Sequence, residues 1–150
     1  MTIEFRPLAA TEIGEAVRLW EGCGLTRPWN DPEADARRAL DGPSSTIVAS
    51  FAAEHLIGTA MCGWDGHRGW IYYLGVDTNF RCWGIGRKLI WHCEDWLGQF
   101  AASKIQLMVR TDNEAAARFY EVIGYEEDSF RFFYHRVTAK CHREQQSEAP

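Results

Sequence analysis

The residues best suited to chemistry lie in the stretch 74–98. Arg81-Cys82-Trp83-Gly84-Ile85-Gly86 follows an apolar, aromatic run (Trp70 to Val76). It precedes a pattern in which Leu89, Ile90, Cys93, Trp96 and Leu97 recur on one helical face. A loop that turns into a helix leaves four backbone N–H groups without intrahelical partners, and the helix dipole adds partial positive charge there. Gly84 and Gly86 let a ligand approach the main chain closely, while Arg81, Arg87 and Lys88 add formal charge. Together these features describe a phosphate cradle. Two glycines at a strand-to-helix junction also fit a tight turn and nothing more, so on this stretch alone both readings stand.

Two nucleotide-binding patterns are excluded. Lys88 and Leu89 follow Gly86, so no third glycine completes the dinucleotide fingerprint. The G-x-x-x-x-G-K-[ST] loop of nucleoside triphosphatases is absent. Cys82 sits at the expected helix N-terminus, which makes it a candidate reactive thiol. The plainer reading is a small side chain in a tight loop.

The elements that must position this turn can be read in order. Ile3 to Leu8 is a short strand. Thr11 is the expected N-cap of a helix bearing Ile13, Ala16, Val17 and Trp20, stopped by Gly22 and Gly24. A loop with Trp29 follows, and Asp31-Pro32 opens a helix from Glu33 to Leu40. Thr46–Ala52 and Leu56–Trp64 form a hairpin, and Asp65-Gly66-His67-Arg68-Gly69 turns the chain into Trp70–Val76. After the central helix, Lys104–Val109 alternates as a strand. A helix with Ala116, Phe119, Tyr120 and Ile123 ends at Gly124, and Phe130–Val137 is expected as a last strand. The order β-α-α-β-β-β-α-β-α-β describes an α/β (α+β) chain with one mixed, mostly antiparallel central sheet flanked by helices. Residues 1–139 are expected to form a single domain, with a polar tail over 140–150.

Composition narrows the partners. A formal charge of −5 argues against nonspecific nucleic-acid binding. No stretch reaches the roughly 18 apolar residues of a membrane span. The N-terminus does not read as a signal peptide. Five cysteines, odd in number and without C-x-x-C pairing, point to reduced thiols in a cytoplasmic protein without a metal site.

Three motifs carry a family resemblance. Arg81-x-x-Gly84-x-Gly86, preceded by Leu74-Gly75-Val76, resembles the [QR]-x-x-G-x-[GA] pyrophosphate loop of the GNAT-type N-acetyltransferases. Asn113-Glu114-Ala115-Ala116-Ala117-Arg118-Phe119-Tyr120 is similar to that family's second motif, and Glu121-Val122-Ile123-Gly124-Tyr125 resembles the close of its helix. The match spans roughly residues 3–137. Within the family, residues 27–32 and 65–69 look like the YpeA-type bacterial acetyltransferases. Many members carry glycine where this chain has Cys82, so a positive φ there would strain the loop.

The resemblance implies acetyl-CoA as co-substrate and direct attack of an amine on its thioester. It implies cofactor contacts from Leu74, Gly75, Val76, Arg81, Cys82, Trp83, Gly84, Ile85, Gly86 and Arg87, and from Asn113, Ala116, Phe119 and Tyr120. No Ser or Cys stands in a nucleophile elbow, which agrees with a direct mechanism. The Val76 N–H is the candidate for the acyl oxygen, because Gly75 within a strand marks a bulge or a close packing contact. Tyr120 is the candidate acid for the departing thiolate. His67, with Glu54 and Asp65 as rivals, is the candidate base. Trp29, Asn30, Asp31, Asp65 and Arg68 are candidate acceptor contacts. The acceptor is expected to be a small-molecule or amino-acid amine, with a protein amino group or a non-catalytic acyl-CoA sensor as alternatives, and a homodimer is compatible with the sequence.

Overall fold

The computed structural model describes residues 2–137, so the expected tail and Cys141 lie outside the described residues. The chain divides into two compact units, one through Asn113 and one from Glu114 onward. In the first unit five strands lie in the order β1 (Ile3–Pro7), β2 (Ser45–Ala52), β3 (His55–Trp64), β4 (Gly69–Val76) and β5 (Ile105–Gln106). All neighbours are antiparallel except β4 and β5, which run parallel. This is the mixed, mostly antiparallel sheet expected from the sequence.

Helices α1 (Ile13–Gly22) and α2 (Pro32–Asp41) pack on one face, where Trp20, Ala36, Ile47, Phe51 and Met61 share a core. Helix α3 (Ile85–Gly98) packs on β2, β3 and β4 through a stripe containing Leu89, Ile90, Cys93 and Leu97. With helices on both sides, β2 is buried almost throughout, which explains its unbroken apolar run.

Local chemistry sets the boundaries. Asp31 caps α2 by accepting the Ala34 N–H at 3.1 Å, and Pro32 takes the first helical position. Thr11 does not cap α1. A 3₁₀ turn, Ala10–Glu12, precedes the helix, and the Glu12 carboxylate accepts the Ala9 N–H at 2.8 Å while pairing with Arg6. That guanidinium holds Glu12 below the usual carboxylate range.

The third and fourth strands do not keep one register. Met61↔Tyr72 through Trp64↔Gly69 share one alignment, whereas Thr59↔Gly75 and Gly58↔Val76 are displaced by one residue. An extra residue therefore sits in β4, at Tyr73–Leu74 opposite Ala60. Tyr73 occupies the left-handed region at φ +50°, which costs a side-chain-bearing residue about 1 kcal/mol or more. The bulge is thus earlier than Gly75. A Cβ on Gly75 would lie 3.0 Å from Leu25 Cδ1 and 3.4 Å from Cys23 Sγ, so that glycine answers a close packing demand.

Two expected strands change. Of Lys104–Val109 only Ile105–Gln106 pairs with β4, and the pairing stops before the bulge, where a strand's ladder is locally disrupted. Residues 130–137 join no ladder among the described residues, and a strand exists only through its partner. The second unit is described by its helix α4 (Glu114–Val122), which ends before Gly124 at φ +100°.

Candidate active site

The bulge decides where the Val76 amide points. Successive strand residues direct their N–H and C=O groups to alternate neighbours. Asp77 N donates to Ile57 O at 2.7 Å, which makes Gly58↔Val76 a non-hydrogen-bonded pair. The Val76 N–H and C=O are therefore turned away from β3, toward the side of β5. On that side the ladder ends at Trp70↔Gln106, six residues short of Val76. Without the extra residue, Val76 would have faced β3 and spent its amide in the sheet. Its carbonyl instead accepts from Arg81 Nε at 3.2 Å and Cys23 Sγ at 3.5 Å.

The chain then reaches the cradle within a few residues. Asp77 caps a 3₁₀ turn, Thr78–Phe80, by accepting the Asn79 N–H at 2.9 Å. Arg81 is extended, Cys82 is left-handed at φ +67°, and Gly84 is left-handed at φ +78° as it leads into α3. The first turn of α3 has neither a side-chain cap nor an acidic residue. Its amides consequently face outward uncompensated, with Arg81, Arg87 and Lys88 exposed around them. A Cβ on Gly84 would meet nothing within 4 Å, so the space over the turn is open. Ile85 is buried and anchors the helix start. Trp83 is 55% exposed and rests edge-on against Phe80, with ring centroids 5.4 Å apart. Arg87 lies over Trp91, 5.0 Å from its ring centroid. Leu74 and Val76 are half-buried, and Gly75 is buried. A diphosphate fits this donor set, and a thioester fits the turned Val76 amide.

Other expected site residues fall elsewhere. His67, Asp65 and Arg68 occupy the β3–β4 turn, at the opposite end of β4 from Val76. Seven steps at roughly 3.3 Å put that turn over 20 Å from Val76. His67 is therefore not placed to act there. Asp65 is absorbed by its own turn: Oδ1 accepts the N–H groups of His67 (2.8 Å) and Arg68 (2.6 Å), and Oδ2 accepts Trp70 Nε1 at 2.9 Å. The bond from the Arg68 amide and that from the Trp70 indole hold its carboxyl down at about 2. Arg68 lies against the His67 carbonyl at 3.1 Å. Of the base candidates only Glu54, in the β2–β3 turn, lies at the Val76 end of the sheet. It lines a groove of about 820 Å³ with Arg18, His55, Asp77 and Phe80.

In the loop between α1 and α2, Trp29 is 54% exposed, and the Arg110 guanidinium stands 5.9 Å from its ring centroid. Asn30 closes a turn onto Arg27 O at 3.0 Å, and Asp31 is committed to its cap. Asn113 N donates to Arg110 O at 2.9 Å. On α4, Ala116, Phe119 and Tyr120 are half-buried. The Tyr120 ring meets Phe119 edge-on at 5.1 Å and Tyr125 at 5.7 Å.

Sequence reasoning placed Trp20 only on the apolar stripe of α1 and did not single out Tyr73, Thr59 or Asp35, which lie with it at the bulge. The unbroken apolar, aromatic run from Trp70 to Val76 carries no alternation that would mark the extra residue.

The sheet order, the off-ladder amide at the end of β4 and the glycine-led helix that follows define an acyltransferase architecture. The chain belongs to the Acetyltransferase (GNAT) family, whose sequence profile matches residues 14–125. A curated acetyltransferase of Sodalis glossinidius is 45% identical over 125 residues, covering 83% of this chain and 87% of its own length. Another from Pectobacterium atrosepticum is 44% identical, covering 83% and 88%. Among solved structures, the aminoglycoside acetyltransferase AAC(6′)-Iy, in complex with a CoA-linked acetylneamine bisubstrate analogue, superposes with a TM-score of 0.79 at 17% identity. That alignment covers 92% of this chain and all of that one, and establishes likeness of fold. The protein is an acetyltransferase.

Proposed function

We propose that the enzyme transfers the acetyl group of acetyl-CoA to a primary amine of a small molecule or amino acid, by direct attack in a ternary complex. The observation that carries this reading is the Val76 amide, turned off the sheet ladder a few residues before an uncapped, glycine-led helix start. Acetyl-CoA supplies the thioester and the leaving thiol. The amides of the first turn of α3, with Arg81 and Lys88, hold its diphosphate. The Val76 N–H donates to the acyl oxygen, where negative charge develops as the amine attacks. Arg81 also ties the cradle to the strand end through the Val76 carbonyl, so phosphate grip and amide placement are linked. Fixing both reactants in attack geometry supplies several kcal/mol of the barrier reduction. Tyr120 is proposed as the acid for the departing sulfur on the strength of its place in the α4 motif.

Calorimetry with CoA, followed by thiol release against a panel of small amines, tests the proposal. CoA binding together with thiol release for at least one amine supports it. Binding without release for any amine points to a sensor, and no binding at millimolar CoA removes both readings.

A further inference from the structure

We propose that Tyr73 is a positioning residue for acyl transfer, and that with Trp20, Thr59 and Asp35 it forms a brace that locks the β4 bulge and so holds the Val76 amide outside the sheet. The inference rests on the role proposed above for the Val76 amide.

A bulge that merely tolerated an extra residue would be expected to carry a glycine or a loosely held side chain at the left-handed position. Here a tyrosine takes φ +50°, and its ring, carbonyl and phenol are each held. Its ring stacks on Trp20, which is fully buried, with centroids 4.0 Å apart and planes 18° from parallel. Its carbonyl accepts the Thr59 hydroxyl at 3.0 Å, and that hydroxyl accepts Trp20 Nε1 at 2.7 Å. Its phenol donates to Asp35 Oδ2 at 2.8 Å. Burial, then the Asp35 carboxylate, push the phenol above its ordinary range, so it remains a donor at working pH. On the opposite face of the sheet, the Cys93 thiol donates to the carbonyl of Ala60, the residue across from the bulge, at 3.7 Å.

The function of such a brace follows from strand parity. Moving the extra residue by one position, or losing it, changes which neighbour the amides of residues 74–76 address. The brace fixes the position of the extra residue from two helices at once: α1 through Trp20 and α2 through Asp35. It contributes no group to the reaction. It sets where the Val76 group points.

The test reads the carbonyl directly and needs no acceptor. Acetyl-CoA labelled with carbon-13 at the acyl carbonyl is bound to the wild type, to Tyr73→Phe and to Asp35→Ala, and the infrared C=O stretch is recorded. Tyr73→Phe keeps the ring that stacks on Trp20 and removes only the phenol bond. The wild type should show a downshifted stretch, and each variant should lose at least half of that shift while its CoA affinity by calorimetry stays within about threefold. With any amine that supports thiol release, kcat should fall on the order of 10-fold or more, with KM for acetyl-CoA little changed. A wild-type shift that both variants retain overturns this proposal and leaves the Val76 reading intact. Absence of a shift in CoA-binding wild type overturns both. Parallel losses of CoA affinity and thermal stability, with the shift preserved in the folded fraction, mark the brace as structural and also overturn the proposal.

Discussion

Replacing Cys82 by glycine should stabilise the protein. Cys82 stands exposed in the cradle at φ +67°, a conformation that costs an L-residue about 1–2 kcal/mol. Glycine removes that cost but adds freedom to the unfolded chain, about 0.4–1 kcal/mol in the other direction. The net expectation is a gain of about 0.5–1 kcal/mol, which for a chain of this size raises Tm by roughly 1–4 °C. Cys82→Ala separates the backbone from the thiol. It keeps the Cβ and therefore the strain, so its Tm should stay within about 1 °C of wild type, as for other exposed substitutions. Both variants are measured by calorimetric melting without CoA and again with saturating CoA. Equal shifts for the glycine and alanine variants would refute the reasoning, because they would place the effect in the thiol and not in the dihedral angle.

The remaining expectations concern the site and its supports. Tyr120→Phe should lower kcat by about 100-fold, the scale of general acid catalysis, while the CoA dissociation constant stays within about threefold; equal losses in both would assign Tyr120 to packing. Among the described cysteines Cys82 is exposed while Cys62 and Cys93 are buried, so a thiol reagent should modify Cys82 well before those two. Bound CoA should slow that reaction, and alkylation indifferent to CoA would move the ligand away from the cradle. Asp65, held at about 2 against an ordinary 3.8, stabilises its turn fully above pH 4 and loses that contribution as pH falls toward 2. The Tm gap between wild type and Asp65→Asn should therefore narrow from pH 5 to pH 2, and a constant gap would contradict the assignment.

Much of the fold is legible because burial writes itself into spacing. The helical recurrence of Leu89, Ile90, Cys93 and Leu97 marks α3, and all four side chains are buried. Asp31-Pro32 marks the start of α2 through a cap and a proline whose roles are local. The turn that leads into α3 is legible for the same reason, since Gly84 takes its left-handed backbone locally, at the helix start. His67 falls at the far end of β4 from Val76, and nothing local reveals which end of a strand a turn occupies relative to a distant amide. Asp65 and Arg68 share that placement. Their charges read as contacts for an acceptor, yet the carboxylate is spent on its own turn and on Trp70.

The bulge shows a different kind of illegibility. Gly75 stands out in the sequence as the irregular residue of β4, but its lack of a side chain serves Cys23 and Leu25, while the extra residue lies at Tyr73–Leu74. Glycine is the usual sign of left-handed backbone because it adopts that region without penalty. A tyrosine can occupy it only where tertiary contacts outweigh the cost, and those contacts come from positions 20, 35 and 59. A single strand's sequence cannot display that balance. The consequence reaches the chemistry, because the strand's hydrophobic pattern stays satisfied on either side of the bulge while its amides exchange partners. A Thr59→Val variant probes that balance: it preserves shape, removes the hydroxyl that serves both the Trp20 indole and the Tyr73 carbonyl, and leaves two buried groups unsatisfied. The expected loss is about 2–4 kcal/mol, read from denaturant unfolding. A loss below about 1 kcal/mol, the net worth of a single ordinary hydrogen bond, would mean that the bulge is held by packing alone.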